Sequence, residues 1–427
     1  MIGNSGVMRL LKIGVYYSAY LEQFYARCPN LASQAYSVQH AALMDDCFGS
    51  ANFWTAALNN LGYETCDIVA NAEPMQKMWA KEQGLKFDQS HWLFDITAAQ
   101  IEAFRPDVLL VADYSTVTAV FLRHLKDICP SIRLVLGWCG APFQDGSIFY
   151  ECDIVLSCVP ELVSRFQENG HRSRHINHAF DPRVLRKIDV RAPTNADFVF
   201  LGSLVKSDQF HIGRERILSK LIRETDLRIW SDAGQQSSSA QQHRTPFNVR
   251  AGNDKRAVAG FRPSQWRRYL SAVPLLGPIP RRASRLILGG LDQSASPTVD
   301  HDVRLRSNPP LFGLNMFQQL HDSRVALNTH IDISTFNASN MRLFEATGVG
   351  TCLLTDWKSN LSGLFELDSE VVAYRDEDEC VEKVEYLLGH DSERRSIAAA
   401  GQRRTLRDHS FAHRAAQLDG VILEALT

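Results

Sequence analysis

Arg342 and Glu345 stand three residues apart in the run NASNMRLFEATGVGTCLLTD, residues 337–356. That spacing places both side chains on one face of a helix. An intrahelical ion pair is the plain reading. The flanks point further. A polar loop, FNASN, leads into the helix, and GVG ends it before an apolar run that closes on Asp356. Helix starts after polar loops accept phosphate oxygens, so the stretch would suit an anionic ligand at the mouth of a sheet.

Two further stretches carry usable chemistry. FLGSLVKSDQFHIGR, residues 200–214, follows an apolar run and sets Gly202 and Ser203 in a turn, with Lys206, His211 and Arg214 behind it. NTHID places His330 and Asp332 just past another apolar run. For Arg214 the alternative is a surface helix position, and for His330 a satisfied core histidine.

The elements that must position these residues read as alternating strands and helices, the pattern of parallel α/β units. Strands are expected at 10–17, 66–70, 107–113, 132–138 and 152–158, and again at 197–204, 227–232, 324–330, 351–356 and 370–374. A helix is expected at 51–64, ended by Gly62, and another in DITAAQIEAFRP with Asp95 or Thr97 as its cap. The end of the chain, from 393 onward, reads as helical almost throughout. The rhythm breaks at 181–196, which is polar and irregular and marks the domain linker. Residues 233–308 form an irregular insertion rich in Ser, Gln, Arg, Gly and Pro.

The totals set bounds. A chain of 427 residues is about right for two domains. The expected division is 9–190 and 195–409, with 410–427 packing back on the first. A net charge of -2 excludes a general nucleic-acid footprint. Arginine is nevertheless dense at 244–288, beside Trp266 and Tyr269, which suits an acceptor phosphate or an anionic membrane surface. Nine scattered cysteines without a CxxC pair read as reduced thiols. The first residues do not read as a signal peptide, and no apolar run reaches the ~18 residues needed to cross a bilayer. The expectation is a cytoplasmic protein, with peripheral membrane contact as a further option.

The stretch from Asn340 to about 418 resembles the C-terminal domain of group 1 glycosyltransferases, in the branch similar to the spore-maturation protein CgeB. The matching features are Asn-x-Arg-x-Phe-Glu-Ala at 340–346, the glycine-rich end, the LLT strand, LFELDSEVVAY, and IAAAGQRRTLRDHSFAHRA. LNTHIDIS and FVFLGSL also fit. The resemblance covers 195–420 well and 10–190 loosely.

The resemblance implies two Rossmann-like domains facing across a cleft, the GT-B architecture, and transfer of a sugar from a nucleotide-sugar to a glycan, lipid-linked or protein acceptor. It implies that Glu345 contacts the donor ribose, with Asn340 and Arg342 beside it. The Gly202–Ser203 turn would approach the diphosphate, helped by Lys206, His211 and Arg214, and Gly313 would lie by the base. The better-known retaining relatives carry a glutamate where this chain has Asn337, which leaves the stereochemical outcome open. An inverting reaction needs a general base. Asp46, set just before an expected helix, Asp113, Asp145 and His330 are the candidates, although each aspartate more often reads as a cap or a solvated carboxylate. No Asp-x-Asp clamp marks a metal, and no cofactor is expected, since the nucleotide-sugar is a substrate. Two alternatives remain: a nucleotide-sugar epimerase on the same scaffold, and a non-catalytic nucleotide- or glycan-binding relative.

Overall fold

The computed structural model describes residues 6–143, 145–204, 211–234 and 299–427. Lys206, Trp266, Tyr269 and most of the arginine-dense insertion lie outside them.

Six strands build a first sheet: β1 (Arg9–Gly14), β2 (Glu64–Val69), β3 (Val108–Val111), β4 (Leu134–Trp138), β5 (Ile154–Ser157) and β6 (Ser173–His175). Their order is β2-β1-β3-β4-β5-β6. Six more build a second: β7 (Ala196–Leu201), β8 (Arg228–Trp230), β9 (Ser307–Asn308), β10 (Ser323–Asn328), β11 (Cys352–Asp356) and β12 (Val372–Tyr374), ordered β12-β11-β10-β7-β8-β9. Every pairing is parallel. Parallel strands are covered on both faces, so they read as unbroken apolar runs. VLLV of β3 and IVLS of β5 are buried at every position.

Around the first sheet lie α1 (Ser18–Arg27), α2 (Tyr36–Asp45), α3 (Phe53–Asn59), α4 (Glu73–Glu82), α5 (Trp92–Phe104), α6 (Ala119–Ile128) and α7 (Pro160–Glu168). Around the second lie α8 (Ile212–Glu224), α9 (His301–Arg306), α10 (Gly313–His321), α11 (Arg342–Gly348), α12 (Leu361–Leu364), α13 (Glu377–Gly389) and α14 (Asp391–Asp408). The last helix, α15 (Phe411–Leu426), returns to the first sheet. There Phe411 meets Phe53 and Trp54, with ring centroids 5.1 and 5.3 Å away. Tyr63 donates to Asp419 at 2.6 Å. One apolar cluster runs from Leu10 and Leu58 through Phe180 and Phe344 to Leu418, and so joins both halves.

Several local expectations change. Asp95 and Thr97 do not cap α5: the helix begins at Trp92 and carries both inside it. The expected helix at 51–64 shortens to Phe53–Asn59, because Ala51 before it and Gly62 after it both take positive φ. The expected linker opens with a 3-10 turn, Pro182–Arg186, capped by the Asp181 side chain. The C-terminal helix is broken at His409–Ser410. There Phe180 inserts as a β-bridge partner, donating to His409 O at 2.9 Å and accepting from Phe411 N at 3.2 Å. All nine cysteines are free, and Cys47, Cys129, Cys139, Cys158, Cys352 and Cys380 are buried.

Candidate functional site

Four strand ends of the second sheet set out the site. Leu201 ends β7, Asn328 ends β10, Asp356 ends β11 and Tyr374 ends β12. In a parallel sheet these carboxyl ends face the crevice where ligands bind. Several residues marked by the sequence gather there in two hydrogen-bonded groups: Arg342 with Leu201 and Glu345, and Arg214, Asn340 and His330 with the ends of β10 and β11.

Two arginines hold the Gly202–Ser203 turn from either side. Arg342, the first residue of α11, donates to Leu201 O at 3.0 Å and to Glu345 Oε2 at 2.7 Å. Arg214 of α8 donates to Ser203 O at 2.9 Å and to Thr329 O at 2.8 Å. Asn340 Nδ2 reaches Asn328 Oδ1 at 2.6 Å, and Asn328 Nδ2 reaches Thr355 Oγ1 at 2.8 Å. His330 closes the set through Asp356, with Nδ1 and Oδ1 2.6 Å apart. Asp332 does not point to a ligand: its carboxylate accepts the Ile212 and Gly213 amides at the start of α8, at 2.8 and 3.3 Å.

Burial sets the electrostatics. Glu345 is 6% exposed, and desolvation raises its pKa while Arg342 pulls it back. The intrahelical ion pair of the plain reading forms, with Glu345 buried and Arg342 part-buried. Desolvation brings Arg214 down to about 10, which still leaves it a cation at neutral pH. The same burial, with Arg214 adjacent, pushes His211 down to about 3. The neutral ring takes the Arg214 Nη1–H contact at 3.1 Å on its Nε2. Burial opposes ionisation of Asp356, yet His330 and Lys358 hold its pKa below the ordinary value.

Within these groups several buried polar atoms have no partner among the described residues: Arg214 Nε, Arg342 Nε, Asn340 Oδ1 and His330 Nε2. Buried polar groups are nearly always paired. The four atoms lie on residues at or beside the strand ends of the second sheet.

The remaining candidates are placed differently. Asp113 caps its own loop, accepting from Ser115 Oγ, Thr116 N and Val117 N at 2.7–3.1 Å. Asp145 is exposed and accepts Ser147 N at 2.8 Å. Asp46 follows α2 rather than preceding a helix. It pairs with Arg27 at 3.1 Å, and burial raises its pKa against the pull of Arg27 and Tyr20. It also meets Gly313, the first residue of α10. Gly313 has φ +56°, and a Cβ there would collide with the Asp46 carboxylate and carbonyl. The Leu314 amide is bonded to Asp46 as well, so this turn faces an aspartate of the other half.

Asn328, Thr329 and Asp356 were missed as site residues. Their signal was position, since each ends or follows a buried strand. Among the described residues no group of three or more His, Cys, Asp or Glu could hold a metal ion. Nor is any helix among them long and apolar enough to cross a membrane.

Two six-stranded parallel sheets wrapped by helices, with a last helix that crosses back, define the GT-B architecture. HepE from Anabaena, solved with UDP-glucose, shares this fold at a TM-score of 0.51 and 10% identity, covering 98% of this chain and 100% of that one. Sucrose-phosphate synthase from Thermosynechococcus elongatus gives 0.49 at 9% identity, with 98% of both chains covered. Residues 268–420 match the family model described as glycosyl transferase-like. No curated protein matches the chain in sequence.

Proposed function

We propose that this chain is a glycosyltransferase that moves a sugar from a nucleotide-sugar to a glycan, lipid-linked or protein acceptor, without a metal. The observation that carries this reading is the set of buried polar atoms on Arg214, Arg342, Asn340 and His330 that have no partner among the described residues, on residues at or beside the strand ends of the second sheet. The match of residues 268–420 to a glycosyl transferase-like model supports it. So does the shared fold with a protein solved with UDP-glucose.

In this reading the donor lies on the half 195–409 and the acceptor on the half 9–190. Glu345 accepts hydrogen bonds from the ribose hydroxyls. Arg214, Arg342 and the amides after Leu201 stabilise the diphosphate as it leaves, with His211 beside Arg214; Lys206, which lies outside the described residues, is a further candidate from the sequence. Gly313 lies by the base. In the transfer step the acceptor oxygen bonds to the sugar's anomeric carbon as the bond from that carbon to the diphosphate oxygen breaks. The hydroxyl proton passes to a base, for which His330, just past the end of β10, is the candidate in this half of the molecule. We place the chain in the CgeB-like branch, in polysaccharide synthesis on the cytoplasmic side, with 244–288 meeting anionic acceptor or lipid.

The test is a thermal-shift screen of UDP, GDP, CMP, dTDP and ADP against wild type and Glu345→Ala. One nucleotide should raise the melting temperature of wild type and not of the variant. A wild type that answers to none of them would refute the donor site. Analysis of products without acceptor then separates transfer from epimerisation.

A further inference from the structure

Glu161, the second residue of α7, lies just beyond the carboxyl end of β5. Its Oε1 accepts the backbone N–H groups of Phe336 and Asn337 at 3.0 and 3.1 Å. Those amides belong to the other half of the molecule, in the loop between β10 and α11. The loop carries His330 at one end and Asn340 at the other, and leads into Arg342 at the start of α11. Ile333 of the same loop packs against the apolar cluster of the first sheet, the cluster that also takes in Tyr114 and Phe143.

The loop is internally braced. Ser334 and Ser339 bond through their hydroxyls at 2.7 Å. Asn360 brackets Ala338, accepting its N–H at 2.6 Å and donating to its carbonyl at 3.1 Å. A braced loop moves as a unit, so whatever holds residues 336–337 also sets the start of α11. A carboxylate accepting two backbone N–H groups makes charge-assisted bonds, stronger than neutral ones. Against this, Glu161 Oε2 is buried with no partner among the described residues. An unpaired buried acceptor costs free energy. The contact is therefore held by one oxygen and opposed by the other, which suits a contact that opens and closes with substrate.

We propose that Glu161 is a positioning residue that clasps the loop of the donor half onto the acceptor half and so aligns Asn340, Arg342 and Glu345 across the cleft. The clasp follows from the geometry alone; its purpose in transfer rests on the function proposed above. Glutamine keeps a side-chain oxygen able to accept both amides, whereas alanine keeps none.

The experiment is small-angle scattering of the ligand-free full chain as wild type, Glu161→Ala and Glu161→Gln, with a thermal-shift titration of each by the five nucleotides named above. The expected result is a larger radius of gyration for Glu161→Ala and wild-type dimensions for Glu161→Gln, with any nucleotide shift retained in both. A change confined to folding would lower the melting temperature without this expansion or its rescue. If Glu161→Ala does not fold, Glu161→Met, which keeps the stem and removes the acceptor, replaces it. Wild-type dimensions in the acceptor-free variant overturn the clasp, and so does equal expansion in Glu161→Gln. A wild type that binds no nucleotide overturns the transferase reading alone and leaves the scattering to decide the clasp.

Discussion

Asp356 Oδ1 accepts two hydrogen bonds from one residue: His330 Nδ1 lies 2.6 Å away and His330 N 3.1 Å away. A ring N–H on Nδ1 that donates to this carboxylate leaves Nε2 as the other nitrogen of the ring, with no partner among the described residues. The His330 side chain is fully buried, and the carboxylate fixes the direction in which Nε2 points.

This geometry predicts what His330→Gln does once a donor is known. Glutamine removes the base and leaves the arginines in place. Transfer should fall by roughly 10²- to 10⁴-fold, while the nucleotide-induced thermal shift stays. Initial rates of product formation, set beside the shift, check this. Loss of both together would mean a structural role.

Arg214 sends hydrogen bonds to Ser203 O, His211 and Thr329 O from a position 7% exposed. Arg214→Lys keeps the charge but not the fork. Nucleotide affinity should drop about tenfold or more, because an ammonium cannot reproduce the fork that reaches Ser203 O, His211 and Thr329 O together. Calorimetric titration with the nucleotide found in the screen would measure it.

Acid should destabilise the fold earlier than its carboxylates alone require. Burial depresses His178 and His409 to about 4, and His211 to about 3. Unfolded histidine titrates near 6.5, so the unfolded chain binds these protons first. The stability is then complete above about 6.5 and is lost as pH falls toward 4. His409 shows the cause: it takes Arg414 Nη2 on Nδ1 at 3.0 Å and donates Nε2–H to Leu364 O at 2.9 Å, so no site remains for a second proton. Melting temperatures at pH 7.5, 6.0 and 4.5 should fall in that order, and His409→Gln should flatten the slope.

Lys12 and Asp67 form an ion pair at 2.9 Å between register partners of β1 and β2, with side chains 7% and 6% exposed. Lys12→Met strands the carboxylate and should cost about 3–5 kcal/mol. The double change Lys12→Met with Asp67→Leu should cost less. Urea unfolding of the three proteins compares them, and a single variant no weaker than the double would refute the argument.

Gly348 lies where α11 meets Phe180, and a Cβ at that position would overlap the phenyl ring. Gly348→Ala should destabilise by about 1–3 kcal/mol through overpacking. Phe180 also bridges to the break between α14 and α15, so the loss should appear in unfolding curves read from either half. A neutral effect would mean that the ring moves aside.

The chain order of apolar runs and helical stretches was enough to read ten of the twelve strands and the helical end, but not the short β6 and β9. Burial on both faces of a parallel sheet leaves an unbroken apolar imprint, as in VLLV and IVLS. The helices α1, α2 and α4 escaped that reading, and Asp46 was set before a helix when it follows one. Short helices that pack on more than one side carry no clean stripe for a period of 3.6 to reveal.

Arg342 and Glu345 were legible from spacing, and Gly202, Ser203, Arg214 and His330 from their places after strands. Only the tertiary structure decided that Arg342 reaches Leu201 O across 141 residues, that His330 leans on Asp356, that Asp332 belongs to a helix start, and that Glu161 holds the loop at 336–337. The physical reason is locality. Periodicity and caps act over a few residues and show in the chain, whereas a buried hydrogen bond between strand ends depends on which ends the sheet order brings together.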